Sequence, residues 1–179
     1  MNRRSPESQV DRFRPSRPPS GTDNFANLLR DPTLVVQEIV ARELARRGFA
    51  DLRPALLAVG QHVRASGSRV TELAARSMLT KATVVYVVDE LEKLGYASRQ
   101  PDPADGRAKL VVPTERALEA ERAARSAIVD IRDAWAVLIG EQAMATLEAE
   151  LRGLRAALWP ELQLADRDEF HLALRSEGK

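Results

Sequence analysis

The sequence contains no cysteine. Disulfide bridges, thiolate nucleophiles and zinc-thiolate sites are therefore excluded, and the composition fits a reducing compartment. Long hydrophobic runs are missing too, since no segment reaches the roughly 18 uninterrupted apolar residues of a membrane span. Residues 1–20 also lack the apolar stretch of a secretion signal. We therefore expect a cytoplasmic protein without a membrane segment.

Aromatic residues and excess charge are both scarce, at 4% of the chain and a net charge of +1. A near-neutral balance means that any surface for nucleic acid must be local rather than spread over the chain. Few aromatics beside abundant Ala, Leu, Arg and Glu are typical of a helical protein with a core of small and aliphatic side chains. The fold is expected to be mostly α.

Residues that could serve catalysis or metal binding are few. The chain has no P-loop and no Gly-x-Ser-x-Gly motif, and its two histidines, His62 and His171, lie far apart in the sequence. Because no second His or Cys stands at ligand spacing, His62 is interpreted as a surface or pocket residue. We expect no enzymatic activity, no metal and no cofactor.

The N-terminal part of the chain divides into a tail and a helix. Residues 1–23 are rich in Arg, Pro and Ser with little to bury, which predicts a disordered tail. Apolar residues then recur at helical spacing over residues 34–47, with Pro32 expected in the first turn. This helix belongs to a predicted N-terminal dimerisation segment, residues 24–50.

Residues 51–114 predict a lobe with a helix-turn-helix and a hairpin. Helices are expected over residues 54–65 and 70–76, and a short turn separates the second from a longer helix over residues 80–94. Two strand-like runs then flank a turn that ends in Asp-Gly, residues 101–106. The lobe is thus expected to carry a β-hairpin, or wing, behind its longest helix.

The helix predicted over residues 80–94 has two distinct faces. Steps of 100° per residue bring its valines and Leu91 together on a buried side, and they place Tyr86 nearly opposite. Asp89 and Glu90 would repel phosphates, so only the first two turns are expected to enter a DNA groove. The candidate contacts there are Thr80, Lys81, Thr83 and Tyr86. A lone surface aromatic is the alternative interpretation of Tyr86, and Thr80 is also expected to cap the helix.

The tip of the hairpin supplies a second candidate set. Arg107 follows the turn at Asp105, whose carboxylate is placed to hold the Arg107 guanidinium. Arginine at such a tip suits a narrow minor groove. Arg99 and Lys109, on the two strand-like runs, complete the candidate DNA contacts. An ordinary Asp-Gly hairpin would have the same local sequence, so the assignment depends on the helix-turn-helix before it.

Residues 115–175 predict C-terminal dimerisation helices. A long helix that ends at Gly140 carries one apolar face, and in the next helix apolar residues alternate at spacings of three and four, a heptad pattern that requires a partner helix. Trp135 and Trp159 are interpreted as dimer core rather than as a ligand cage. The expected homodimer contacts are Ile39, Trp135, Leu138, Leu147, Leu151, Leu154 and Leu158.

Several runs of the sequence resemble the MarR family of transcription regulators. They are Glu72-Leu73-Ala74, Thr80-Lys81-Ala82-Thr83-Val84, Val88-Asp89-Glu90-Leu91-Glu92, Leu94-Gly95-Tyr96 and the wing from Pro101-Asp102-Pro103 through Asp105-Gly106-Arg107-Ala108-Lys109-Leu110-Val111. The wing, which closes on Pro113-Thr114, is the most specific part. The resemblance covers roughly residues 34–158. It departs from the family pattern at Met78, Tyr86 and Ala117, where Gly, Arg and Gly respectively are frequent.

The resemblance implies a mostly α fold with a small β-hairpin wing, a winged helix-turn-helix whose N- and C-terminal helices form a dimerisation domain. It further implies a homodimer that binds double-stranded DNA at inverted-repeat operators, and a small-molecule effector that releases the DNA. The near-neutral charge keeps one alternative open, a helical module that uses its winged helix against a protein partner. DNA binding that weakens steeply with salt would separate the two.

Overall fold

A computed structural model describes Phe13, Pro15, Ser16 and residues 21–158. In these residues, six helices and one two-stranded sheet follow one another in the order α1 (Phe25–Arg46), α2 (Pro54–Gly60), α3 (Val70–Ser77), α4 (Lys81–Lys93), β1 (Ala97–Asp102), β2 (Asp105–Pro113), α5 (Glu115–Ile139) and α6 (Glu141–Leu158). The mostly α fold with a hairpin wing is confirmed. The chain divides into two compact units, with the boundary inside α5 between Ile131 and Arg132.

Helix α1 begins earlier than residue 34, where periodicity placed it. Asn24 is its N-cap, and the Asn24 side chain accepts a hydrogen bond from the backbone N–H of Asn27 at 3.0 Å. Pro32 therefore lies inside the helix and not in its first turn. The start was missed because this cap comes before the apolar repeat, and capping by asparagine stabilises a helix start independently of any repeat.

Part of the predicted tail is packed against the rest of the chain. Phe13 is buried, and the backbone N–H of Ser16 donates to the Glu38 carboxylate of α1 at 3.1 Å. Residues 1–12, 14 and 17–20 of the predicted tail lie outside the described part of the chain, as do Trp159, His171 and the end of the predicted C-terminal segment.

Helix α2 is shorter than predicted, since it ends at Gly60 and not at residue 65. The backbone N–H of Arg64 donates to the Ser68 hydroxyl at 3.1 Å, so a side chain takes a bond that a longer helix would have made. Gly67 has a φ of +90°, and a Cβ there would lie 3.0 Å from Cβ of Leu110. This close approach brings Ser68 into a bridge with Val111 of β2.

The core of the lobe is aliphatic and is enclosed by α2, α3, α4 and β2. The buried face predicted for the helix over residues 80–94 is confirmed in α4, because Val84, Val87, Val88 and Leu91 are all buried. They are accompanied by Leu56, Val59, Leu73 and Val111. Burial of one such side chain stabilises a fold by about 1.5–3 kcal/mol. The core thus holds α4 with a defined face toward solvent.

The two wing strands pair antiparallel, from Ala97 opposite Pro113 to Asp102 opposite Asp105.

The second compact unit contains the end of α5, from Arg132, and α6. Within it, the Arg132 side chain joins α5 to α6. Its Nη1 donates to Oε2 of Glu141 at 2.9 Å, and its Nε donates to Oε1 of Glu148 at 3.1 Å. No helix in the described part of the chain combines the length and the hydropathy needed to cross a membrane.

Candidate nucleic-acid interface

The N-terminal end of α4 is capped as the sequence predicts. The Thr80 hydroxyl accepts a hydrogen bond from the backbone N–H of Thr83 at 3.2 Å, and the two hydroxyl oxygens lie 2.8 Å apart. Because the first amides of a helix point outward without carbonyl partners from the helix itself, this end favours an anion such as a phosphate. The Thr83 hydroxyl is partly committed to the cap.

The exposed face of α4 occupies its first two turns. Lys81, Thr83 and Val85 are exposed, and Tyr86 keeps 64% of its surface accessible. An aromatic ring that is held outward by a buried opposite face offers both apolar area and a hydroxyl to a ligand. The faces predicted from the sequence are therefore those of the structure.

The turn that leads into α4 has a left-handed residue. Met78 ends α3 with φ 55° and ψ 31°, and 86% of its surface is exposed. Glycine takes this conformation without strain, whereas an L side chain pays for it. Met78, where the resembled family often has Gly, thus lies at a position that requires a positive φ. Its exposed thioether lies beside the start of α4.

The second half of α4 is linked to the wing through Arg99. The Arg99 Nη2 lies 2.7 Å from Oδ1 of Asp89, and its Nη1 bonds the Glu92 carboxylate. Arg99 was expected to contact DNA, but its side chain is only 23% exposed and lies between two carboxylates. The pairing joins β1 to α4 and neutralises part of the acidic half of that helix.

The wing tip has a different bonding pattern from the one expected. Oδ1 of Asp105 accepts from the backbone N–H of Arg107 at 3.1 Å, so Asp105 shapes the turn instead of holding the guanidinium. The side chains of Arg107 and Lys109 are exposed. The short polar side chain of Asp favours this kind of bond to a backbone N–H two residues on.

Asp102 is a wing residue that the sequence analysis missed. Its carboxylate is buried and accepts from the backbone N–H of Ala104 at 2.9 Å, and from Nε and Nη2 of Arg69 at 2.8 Å and 2.5 Å. The backbone bond and Arg69 together hold the pKa of Asp102 below its usual range. Arg69 is the N-cap of α3, so the pair fastens the wing to the helix-turn-helix.

The basic residues of this surface differ in their partners. Within residues 21–158, no carboxylate lies at ion-pair distance from Lys81, Arg107 or Lys109, whereas Arg69 and Arg99 are each matched by acidic groups. Three unmatched cations are therefore exposed, one at the start of α4 and two on the wing. Local positive charge of this kind attracts phosphate even when the chain is close to neutral.

The predicted dimer contacts fall into two groups. Exposed fractions of 42–62% are found for Leu138, Leu147, Leu151, Leu154 and Leu158, and Trp135 is half-buried. Ile39, in contrast, is completely buried within the chain. The prediction for Ile39 is wrong, since a side chain without accessible surface belongs to the protomer's own core.

No group of three or more His, Cys, Asp or Glu side chains that could hold a metal ion occurs in the described residues.

The lobe is similar in sequence to a known protein family. Residues 53–108 match the model of the MarR family. None of the curated protein sequences compared with the chain matches it.

Solved structures extend the likeness to most of the chain. CouR of Rhodococcus jostii RHA1, bound to p-coumaroyl-CoA, is 26% identical with a TM-score of 0.57, and the match covers 77% of this chain and 94% of CouR. MarR of E. coli in its apo form is 20% identical with a TM-score of 0.61 over 75% and 98% of the two chains. A mutant of MepR from S. aureus, bound to an oligodeoxyribonucleotide, is 16% identical with a TM-score of 0.52 over 76% and 99%.

Proposed function

Because residues 53–108 match the model of the MarR family and form a helix-turn-helix followed by a hairpin wing, we propose that this chain regulates transcription by binding double-stranded DNA at an inverted-repeat operator as a homodimer. One observation carries the proposal. The capped start of α4, with Lys81 and Tyr86 exposed, lies in the same lobe as a wing that exposes Arg107 and Lys109. A fold neighbour, MepR, has been solved with an oligodeoxyribonucleotide.

The first two turns of α4 are the proposed contact with the major groove. Lys81 has a free ammonium group for a phosphate or for the acceptor edge of guanine, and Tyr86 presents its ring and hydroxyl to base edges. Thr80 and Thr83 serve mainly the cap, since their hydroxyls bond one another, and the helix start favours a phosphate. Tyr86 is therefore the residue proposed to choose between bases.

The wing is the proposed contact with the minor groove. Arg107 has no carboxylate at ion-pair distance in the described part of the chain, so its guanidinium is available for the negative potential of a narrow groove. Lys109, two residues along β2, adds a phosphate contact. Asp105 supports them by ordering the turn and is not itself a DNA contact.

Arg99 is proposed to act indirectly. Asp89 and Glu92 both lie in the second half of α4, and Arg99 of β1 pairs with both. A cation in that place reduces the repulsion between the recognition helix and phosphates. This role replaces the direct contact that the sequence favoured for Arg99.

The exposed leucines of α6 are the proposed homodimer contact. Leu147, Leu151, Leu154 and Leu158 follow a heptad spacing and remain 42–58% exposed in the single chain. A contiguous apolar stripe of this length is rare on monomers. Two-fold symmetry of the dimer would match the symmetry of an inverted repeat.

We also propose a reversible small-molecule effector that releases the DNA, which makes the chain a ligand-responsive repressor. The support is a fold neighbour, CouR, which has been solved with p-coumaroyl-CoA. A thiol-based switch is excluded by the absence of cysteine.

Selection of preferred sites from random DNA tests the proposed contacts. Tyr86→Ala should change the base preference at one position of each half-site, with about 1–3 kcal/mol of lost discrimination. Arg107→Ala should weaken all sites with an A/T-rich flank and lower the salt dependence, while the selected bases at the centre of each half-site stay the same. Arg122→Ala, which removes an exposed arginine that pairs with Glu115 on α5, is the matched control.

The same experiment can reject the assignment. An unchanged site for Tyr86→Ala, or a rewritten one for Arg107→Ala, would reverse the two roles. If the wild-type chain selected no sequence and showed no salt-dependent binding to any duplex, the alternative of a protein-binding module would replace the proposal.

A further inference from the structure

Four residues at the base of the lobe join segments that are distant in the sequence. Asp51 lies between α1 and α2, Leu94 is the C-cap of α4, Tyr96 directly precedes β1 and Arg116 lies in the first turn of α5. We call these four residues the Arg116 cluster. All of them belong to the first compact unit, residues 11–131, and none of them is among the proposed DNA contacts.

Arg116 is the centre of the cluster. Its Nη1 donates to the carbonyl oxygen of Leu94 at 2.8 Å, and its Nη2 donates to Oδ2 of Asp51 at 2.8 Å. The guanidinium carbon lies 4.5 Å from the centroid of the Tyr96 ring. The Tyr96 hydroxyl donates in turn to Oδ1 of Asp51 at 2.7 Å. One side chain of α5 thus contacts the end of the recognition helix, the lead into the wing and the segment before α2.

The electrostatics of the cluster favour this arrangement. A cation at the C-terminal end of a helix is attracted by the carbonyl groups there, and Arg116 bonds the last of them directly. The hydrogen bond from Tyr96, together with Arg116, lowers the pKa of Asp51. Burial, and then the bond to Asp51, raise the pKa of Tyr96 to about 12, so its hydroxyl remains a neutral donor.

The covalent path between α4 and α5 shows why a direct link matters. Leu94 and Arg116 are 22 residues apart, and the chain between them forms the whole wing. Two further bonds close the base of this excursion, since the Thr114 hydroxyl donates to the carbonyl of Gly95 at 2.6 Å and the Thr114 N–H donates to that of Tyr96 at 3.1 Å. These non-covalent contacts thus link the end of α4 to the start of α5 directly.

We propose that Arg116 is a positioning residue that fixes the direction of the recognition helix relative to α5, and that it thereby determines which half-site spacing the homodimer accepts. The inference rests on the proposed function. A dimer contacts two half-sites at a separation that its own geometry sets. A recognition helix that can swing about the end of α5 would fit several separations instead of one.

Operator spacing is the measurement that a purely structural role would not change. The wild type and each variant are incubated with a pool of duplexes that carry the selected half-site as an inverted repeat. The spacer between the half-sites varies by one base pair from duplex to duplex, and the bound duplexes are sequenced. The wild type should prefer one spacer sharply. Arg116→Gln should reduce the preference for that spacer over its neighbours by about tenfold, the factor that one charge-assisted hydrogen bond carries.

Two more variants keep the test informative if Arg116→Gln folds poorly. Tyr96→Phe removes only the hydroxyl bond to Asp51 and should reduce the spacer preference partly. Arg116→Lys keeps the positive charge but should still lose part of the spacer preference, because lysine cannot bond Leu94 and Asp51 together. Arg122→Gln on the same helix is the matched control and should keep the wild-type profile.

The outcomes separate the two proposals. A wild type that selects half-sites with a sharp spacer, beside cluster variants that share its profile and only melt at lower temperature, would overturn the positioning role alone. A wild type that selects no half-site would refute the proposed function on which the inference depends. A broadened spacer profile with unchanged half-site bases would support both.

Discussion

Arg99 offers the sharpest test of how the interface is built, because the sequence and the structure assign it different roles. A direct DNA contact would lose one phosphate when Arg99 is replaced. A residue that balances the charge of Asp89 and Glu92 would instead leave two carboxylates on the recognition helix. The two roles differ in whether removal of those carboxylates rescues DNA binding.

The structure sets the expected magnitudes. Arg99 is 23% exposed and its partners are 47% and 29% exposed, so each pair is worth at most about 1 kcal/mol. Arg99→Gln should therefore cost about 1–2 kcal/mol of stability, roughly 3–6 °C in Tm. Unit charges about 4 Å apart in water interact by about 1 kcal/mol. Two freed carboxylates should thus weaken DNA binding by no more than about 2 kcal/mol, or roughly 30-fold.

The assay compares three proteins with the wild type by fluorescence anisotropy on the selected operator at fixed salt. They are Arg99→Gln, the pair Asp89→Asn with Glu92→Gln, and the combination of all three changes. If Arg99 balances charge, the triple variant should bind nearly as tightly as the wild type, and thermal melts should show all variants folded. A triple variant that binds as weakly as Arg99→Gln would refute the balancing role and restore the direct contact.

Three further outcomes are expected. Leu151→Glu combined with Leu154→Glu should abolish the homodimer and DNA binding together, and a folded, DNA-binding monomer in sedimentation and gel-shift assays would contradict the proposed assembly. Met78→Gly should stabilise the lobe by about 0.5–1 kcal/mol, because relief of a left-handed residue, about 1–2 kcal/mol, exceeds the entropy that glycine adds to the unfolded chain, about 0.4–1 kcal/mol; Met78→Ala should show no such gain in a thermal melt. The Asp102 carboxylate bonded to Arg69 has a pKa below the ordinary 3.8, so its stabilisation is complete above that pH and is lost as the pH falls through the lower folded value. In acid titrations followed by circular dichroism, Asp102→Asn should therefore lose less stability below about pH 4 than the wild type does, and coincident curves would argue against this contribution.

The parts of the fold that follow from burial could be predicted from the sequence. The valines of α4 identify its buried face because apolar side chains must recur at the helical period to share one core. The same rule predicted the exposed Tyr86. It failed for Ile39, because an apolar helical residue has the same periodicity whether it packs inside its own chain or against a second one.

The ends of elements and the ion pairs of the site could not be predicted from periodicity. Asn24 and Ser68 set the ends of α1 and α2, each through a single hydrogen bond that its side-chain oxygen accepts from a backbone N–H. Arg99 and Asp102 acquire their partners only when β1 packs beside α4 and α3. Such contacts depend on tertiary register, and the residue types alone allow many pairings.

The near-neutral charge of the chain is compatible with DNA binding because the lobe distributes its charges unequally. Three acidic groups near the proposed interface are matched in place, Asp102 by Arg69 and both Asp89 and Glu92 by Arg99, while the Asp105 carboxylate accepts from the backbone N–H of Arg107. Among residues 21–158, no carboxylate lies at ion-pair distance from Lys81, Arg107 or Lys109, so these three exposed charges remain unpaired although the net charge of the chain is only +1. The ion pairs thus have two effects: they hold the wing against the helix-turn-helix, and they balance carboxylates that would otherwise repel phosphates. For this reason, the arrangement of the arginines, and not their number, decides whether the lobe can bind DNA.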